Sequence, residues 1–331
     1  QDAFEGVTHS LCSLEYDNHR PLYDWVVANC DTEHTPHQYE FGRLNITNTI
    51  MSKRYLRQLV ESHKVVGYDD PRMPTLVGLK RRGVRPEAIK TFIVSTGLSR
   101  INSTVDGEMF DHFIREDLKE ITPRVMAIID PLKVVITNYE EDKVEYMEVP
   151  LHPEDESMGT KQVAFSKYLY IEKEDFVLEK PNKHYKRLAL GQEVRLFHAF
   201  FIACHDVVYD ALGNIQEIHC TYDPLTKSGS GFTGRKPNGT IHFVEATTAI
   251  SAEFNLFEPL ILSDSKNKQE LLESINPNSW IKQNGFVEKL DTKWNELDRF
   301  QFLRNGYFAV DKESREDKLV FNRIVSLKSS Y

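Results

Sequence analysis

The first 123 residues carry apolar side chains at intervals of three and four, the period of helices with one buried face. Pro21 opens one such segment, with Leu22, Trp25 and Val26 on its apolar face and an end near Cys30. A second begins after Ser52, a good N-cap, and turns Leu56, Leu59 and Val60 inward. A short piece over 76–82 stops at Gly83. Pro86 opens another, with Ile89, Phe92 and Ile93 inward and Gly97 as its stop. The longest repeats Val105, Met109, Phe110, Phe113, Ile114, Leu118 and Ile121, and Pro123 ends it. Beyond Pro123, β-branched and aromatic runs over 133–137, 162–171, 193–202, 215–222 and 240–244 predict strands, punctuated by Asp-Pro, Leu-Gly-Asn, Pro-Asn-Gly and Asn-Gly-Tyr turns. That stretch is too long for one small barrel, so it predicts two antiparallel barrels or sandwiches, with 228–234 as a flexible loop.

With 331 residues, 40% hydrophobic and 27% charged, the chain has room for two or three domains. No apolar run approaches the ~18 residues of a membrane span. The four cysteines, at 12, 30, 204 and 220, fit neither a disulfide staple nor a zinc knuckle, which favours a reducing, cytoplasmic setting. Cys30, Glu33, His34 and His37 form a loose cluster without a second ligand pair, so no bound metal is expected. Three Asn-x-Ser/Thr sequons, at Asn45, Asn102 and Asn238, matter only if the chain is exported.

The net charge of −9 argues against indiscriminate nucleic-acid binding and against DNA as a partner. Its distribution says more: residues 51–100 hold 11 Lys and Arg against four acids. A basic block in an acidic chain marks either a bounded phosphate-binding surface or a solvated helical face. Ser52-Lys53-Arg54 sharpens the choice, because it puts two cations in a first helical turn where the macrodipole favours anions. Either solvent screens that cost or a polyanion visits the spot.

Met51-Ser52-Lys53 resembles the "Met-Ser-Lys" signature loop of class I aminoacyl-tRNA synthetases. Its neighbours strengthen the match: EGVTHSLCSLE (5–15), RPLYDW (20–25), HQYEFGRLN (37–45), DDPRMPTLVGLKRRG (69–83), REDL (115–118), PRVMAIIDPLKVVI (123–136), YKRLALGQEVRL (185–196) and FQFLRNGYFAVD (300–311) occur in family order. The resemblance is to the glutaminyl-tRNA synthetases and covers essentially the whole chain. It implies the C-terminal part of an α/β Rossmann catalytic domain over 1–50, a helical stem-contact subdomain over 51–123, and two antiparallel β-barrels that grip the anticodon over 124–331. The family's His-Ile-Gly-His-type ATP turn does not occur in the sequence. The chain as given is therefore expected to be the C-terminal portion of the enzyme, inactive by itself.

The resemblance also implies an activity: ligation of glutamine to tRNA(Gln) through glutaminyl adenylate, with ATP and its Mg2+ as substrate, by a cytoplasmic monomer. Lys53 matches the lysine that stabilises the charge accumulating on the leaving pyrophosphate, with Met51 and Ser52 shaping the loop. Leu44 matches a backbone contact to adenine, with Arg43 beside it. Cys12 resembles a pocket cysteine and Gln38 a glutamine-binding partner. A neutral thiol at Cys12, where related glutamyl enzymes usually carry Arg, disfavours a glutamate carboxylate; from the residues alone, Cys12 reads as a core cysteine. Asn18 and Asp106 match acceptor-stem and inner-corner contacts to tRNA. Arg124, Lys186, Arg187, Arg195, Gln301 and Arg304 match positions around splayed anticodon bases, which are read by hydrogen bonds and stacking. Tyr185 suits either stacking or a barrel core. Phe197, Asn18 and His184 depart from the usual family residues. The competing readings are an archaeal or eukaryotic-type glutamyl enzyme and a non-catalytic tRNA-binding module.

Overall fold

The computed structural model describes residues 1–262 and 274–327. Five helices serve the first third: α1 (Arg20–Ala28), α2 (Lys53–Glu61), α3 (Leu76–Arg82), α4 (Pro86–Thr96) and α5 (Gly107–Ile121). Pro21 and Pro86 sit in the first turns of α1 and α4, where no N–H is needed. Ser52 takes the extended N-cap conformation before α2, but its hydroxyl makes no capping bond. Thr75 and Asp106 do cap, accepting from Gly78 N and Glu108 N.

The helical faces differ in part from the pattern. Leu56, Leu59, Phe92, Ile114 and Leu118 are buried as expected. Ile93, Met109 and Ile121 are exposed, and Val105 belongs to the short strand Ser103–Val105 instead of a helix. The largest departure is α1, none of whose residues is buried; Leu22, Trp25 and Val26 all face outward. Nothing among the described residues covers that stripe.

Near α1 lies a two-stranded parallel sheet, His9–Ser13 with His37–Phe41, paired from His9↔His37 to Ser13↔Phe41. A second parallel pair joins Leu44–Ile46 to Ser103–Val105.

The β-rich region forms two seven-stranded sheets. In chain segments, the first runs Thr240–Ile241, Glu193–Leu196, Phe201–Tyr209, Ile215–Asp223, Pro131–Ile136, Tyr168–Glu172, Val244–Glu245. The second runs Arg124–Val125, Arg299–Phe302, Gly306–Val310, Leu319–Val325, Ile250–Phe257, Trp280–Val287, Ala127–Ile128. In each, one short segment supplies both edges: 240–245 in the first, 124–128 in the second. The two edges therefore lie a residue or two apart along the chain, which curls each sheet into a barrel-like form. The expectation of purely antiparallel pairing needs correction. Each sheet contains two parallel pairs, such as Ile215–Asp223 with Pro131–Ile136 and Ile250–Phe257 with Leu319–Val325. Hydrophobic alternation reports a strand's faces and not its direction, so this was not legible in advance. The apolar run 162–171 is likewise two strands, broken where the Ser166 hydroxyl accepts from Tyr168 N.

Each sheet has its own core, the first around Val134, Phe165, Leu169 and Phe243, the second around Phe254, Phe302, Phe308 and Phe321. The strand Gly306–Val310 is buried on both faces, because α4 and α5 pack on its outer side against Tyr307 and Ala309. Gly83 lets α3 end there: at φ 107° it needs glycine, and a Cβ would come within 2.5 Å of Ala309 Cβ. Arg81 of α3 fixes the same joint, buried and bonded to Asp311 at 3.0 Å, Glu313 at 2.6 Å and Asp69 at 3.5 Å. The two barrel-like sheets meet through Glu172, which accepts from Ile129 N, Asp130 N and Asn305 Nδ2, each at 2.9 Å.

Candidate nucleotide and anticodon sites

An open cavity of about 860 Å³ is walled by the 41–45 strand region, the loop into α2, and the C-terminal end of α4 with its following loop. Five of the sequence candidates meet here: Arg43, Leu44, Met51, Ser52 and Lys53. Tight backbone approach builds the wall, since a Cβ on Gly42 would fall 2.3 Å from Ile101 O. Arg43 N donates to Asn102 Oδ1 at 2.8 Å, and the Arg43 side chain pairs with Glu15 at 2.7 Å. That pair is exposed on both sides and holds Arg43 only weakly. Lys53 is exposed; among the described residues no carboxylate forms an ion pair with it, and its side chain lines the cavity.

Cys12 and Gln38 do not line this cavity. They share one face of the parallel pair, in the registers Cys12↔Glu40 and Ser10↔Gln38. Cys12 is half-buried. The Gln38 amide donates to Glu40 Oε1 at 3.1 Å, and Glu40, buried, is also reached by Arg20 at 3.5 Å. The opposite face exposes Leu11, Tyr39 and Phe41. Asn18 is exposed in the turn Leu14–His19, and the Asp106 carboxylate is engaged in capping α5.

The other cluster forms where the two barrel-like sheets meet. Asp175, fully buried, accepts hydrogen bonds from both Nη atoms of Arg304, with Nη2 at 2.7 Å, and forms an ion pair with Arg187, whose Nε lies 3.3 Å away. Arg187 also donates to the Glu174 carbonyl at 3.0 Å and pairs with the Glu174 carboxylate at 2.9 Å. Burial works against the charge of Arg304, but the Asp175 bond more than restores it, so its pKa lies above the ordinary arginine value. Arg304 sits at φ 67°, a left-handed conformation that places a non-glycine residue at some cost. Beside it, Arg304 Nη1 lies 3.3 Å from His242 Nδ1, while His242 Nε2 faces the Ala127 carbonyl at 3.0 Å. Those two contacts select the neutral tautomer with the proton on Nε2.

Asn238 clamps the loop that carries Arg187, donating to the carbonyls of Tyr185 and Arg187 at 3.0 Å each. Gly239 makes room for it, since a Cβ there would fall 1.7 Å from Lys186 O. Lys186 itself is exposed. Arg195 joins the loop through its backbone N–H, bonded to Gly239 O at 2.9 Å. Its guanidinium turns to the Thr226 carbonyl at 3.2 Å and Ser228 Oγ at 3.0 Å, over the Phe201 ring. Burial without an acidic partner lowers its pKa. Arg124 and Gln301 are register neighbours on adjacent parallel strands.

Among the described residues, Arg124 Nε, Gln301 Oε1 and Tyr185 Oη are each buried without a partner, a rare and costly state for a polar group. Burial raises the pKa of Tyr185, whose hydroxyl feels the charges of Arg187, Asp175, Glu174 and Arg304. Sequence reading missed Asp175, His242 and Asn238; only the Pro-Asn-Gly turn hinted at the last. Phe197 packs partly into the first core. Among the described residues no group of three His, Cys, Asp or Glu is arranged to hold a metal ion, and no helix is long and apolar enough to cross a membrane.

Comparison with known proteins bears directly on these two clusters. Residues 1–120 match the catalytic domain of class I tRNA synthetases (E and Q). Residues 122–223 and 240–311 match two anticodon-binding domains of the same group. Over its whole length the chain is 55% identical to a glutamine–tRNA ligase of Clostridium perfringens, 53% to one of Clostridioides difficile and 46% to one of Nitrobacter hamburgensis. The chain spans about 60% of the length of these relatives. Matched in one colinear run through a catalytic segment and two anticodon-binding segments, the chain belongs to the class I tRNA synthetases of the E and Q group.

Proposed function

We propose that the chain is the C-terminal portion of a glutamine–tRNA ligase that forms glutaminyl adenylate from glutamine and ATP and passes the glutaminyl group to tRNA(Gln). One observation carries the reading: Lys53, without an ion-pair partner among the described residues, lines the same cavity as Arg43, Leu44, Met51 and Ser52. When the glutamine carboxylate attacks the α-phosphate, negative charge builds on the departing pyrophosphate. A cation free to swing onto it stabilises that state more than the ground state, which is what raises a rate. The backbone at Leu44 offers hydrogen bonds to a purine, and Mg2+ enters with the phosphates.

Cys12 and Gln38, on one face of the parallel pair, would receive glutamine. A thiol there tolerates a carboxamide and leaves a glutamate carboxylate without a counter-charge. Arg124, Tyr185 and Gln301 would read single-stranded bases with their unpartnered polar atoms, and Arg187 and Arg304 with the N–H groups that Asp175 and Glu174 leave over. Lys186 and Arg195 flank them, and Asn18 and Asp106 would meet the stem. The domain division at 50 and 123 is part of this reading.

Two measurements test it. Filter binding of the 331-residue chain should retain tRNA(Gln), and changed anticodon bases should weaken that retention. In the full-length enzyme, ATP–pyrophosphate exchange should require glutamine and should not be supported by glutamate. Binding that ignores the anticodon would remove the barrel assignment. Exchange with glutamate as good as with glutamine would transfer the chain to the glutamyl branch.

A further inference from the structure

Arg187 and Arg304 come from loops far apart in the chain, yet both are held by one carboxylate. Asp175 lies in the turn Lys173–Asp175 of the first sheet, with no exposed surface. It accepts hydrogen bonds from Arg304, Nη2 to Oδ1 at 2.7 Å and Nη1 to Oδ2, and its Oδ1 forms an ion pair with Arg187 Nε at 3.3 Å. About a third of each arginine side chain remains exposed. We infer that Asp175 is the positioning residue of the base-reading site: it aims the two guanidiniums at one nucleotide and thereby sets anticodon discrimination. The inference rests on the proposed function and deepens it.

A free arginine side chain loses rotamer entropy when it is fixed. Here that loss is incurred on folding, because the end-on pair with Asp175 locks Arg304 and the Nε contact locks Arg187. Asp175 and Glu174 together balance the two guanidiniums, so what the cluster offers an incoming base is a set of fixed N–H donors and not a surplus of charge. His242, neutral and donating to Ala127 O, leaves its Nδ1 lone pair for Arg304 and fixes the guanidinium plane. The Tyr185 hydroxyl, buried and unpartnered among these charges, is the further group an ordered nucleotide would satisfy. Among the described residues, Asp175 alone forms direct ion pairs with both arginines; Glu174 pairs directly with Arg187 and acts on Arg304 only through its field.

The test uses the full-length enzyme and compares tRNA(Gln) with a transcript altered at one anticodon base. Asp175→Asn keeps the shape but removes the counter-charge. It should lower the ratio of kcat/KM values for the two tRNAs about tenfold or more, the scale of one misread base edge. The change should fall mainly in KM for tRNA, and the KM for ATP should stay put. Arg304→Lys, which keeps the charge but loses the two-pronged bond, should lower the same ratio and guards against a variant that fails to fold. An unaltered ratio in folded Asp175→Asn or in Arg304→Lys overturns the inference. The controls Arg187→Ala and Arg304→Ala separate the two levels. If both leave discrimination intact, the anticodon reading itself fails; if both erode it while Asp175→Asn does not, only the role of Asp175 fails.

Discussion

The two basic sites of this chain handle positive charge in opposite ways. At the cavity, Lys53 has no acidic partner among the described residues, and Arg43 is held by one exposed and easily displaced pair. Where the barrel-like sheets meet, Arg187 and Arg304 are fastened to a buried carboxylate. The contrast suits the roles proposed for the two sites. Charge that appears only as a bond breaks is best met by a group that can move onto it. A base edge has the same donors and acceptors before and after binding, so it is best met by donors already in place. Equal numbers of cations on a surface thus say little until their partners are known.

The largest expected effect comes from a third arginine, at the joint between the helices and the second sheet. Removing Arg81 leaves Asp311 buried without its cation. Arg81→Met should destabilise the chain by about 3–5 kcal/mol, seen as a lower denaturant midpoint with an unchanged slope. Exposed Lys53 should behave in the reverse way. Lys53→Ala in the full-length enzyme should slow adenylate formation about a hundredfold, near 3 kcal/mol, with the melting transition unshifted and tRNA affinity barely changed. Equal losses in activation and tRNA binding would dissolve the contrast and make Lys53 part of a general phosphate surface.

A smaller change is expected at the glutamine face. Cys12→Arg should move the ratio of specificity constants toward glutamate by up to ~2 kcal/mol, because a carboxylate gains an ion pair where a carboxamide gains one ordinary bond. The ratio must be measured on protein with an unshifted transition. If both activities fall together, Cys12 serves packing. The smallest effect is a pH term at Glu172. Burial raises its pKa, but the bonds from His242, Ile129 N, Asp130 N and Asn305 lower it further, leaving it below its ordinary 4.5. A carboxylate depressed by folding adds stability that is complete above the unfolded value and is lost as the pH falls through the folded one. Glu172→Gln should therefore flatten the loss of stability below about pH 4.5, read from melting temperatures across an acid series.

What could be read from the residues followed local rules. The start of α2 was legible from Ser52 and the Leu56–Leu59 spacing, and α4 from Pro86 and Gly97. Met51-Ser52-Lys53 was legible as a motif, and the structure puts its three residues on one cavity. The outward stripe of α1 was not, because periodicity marks an apolar face without saying what covers it. The parallel pairs were hidden because strand direction leaves no mark on alternation. Asp175 was hidden for a similar reason. In Lys173-Glu174-Asp175-Phe176 it is one acid among several, and its meaning comes only from Arg187 and Arg304, which the fold delivers from elsewhere.

The single segment that borders both edges of the second sheet has a consequence for how the chain leaves the ribosome. Residues 124–128 are made before all of the first sheet, while their strand partners Trp280–Val287 and Arg299–Phe302 are made after it. The barrel that begins first is finished last, with the other inserted inside it. Some of its joints are available early: Glu172 can take Ile129 N and Asp130 N as soon as residue 172 has emerged. Others wait. Met126 N needs Glu288, and Gln301 closes beside Arg124 only once residue 301 has emerged. Until then the edge strand stays open, and the pair between Asp175 and Arg304 cannot form.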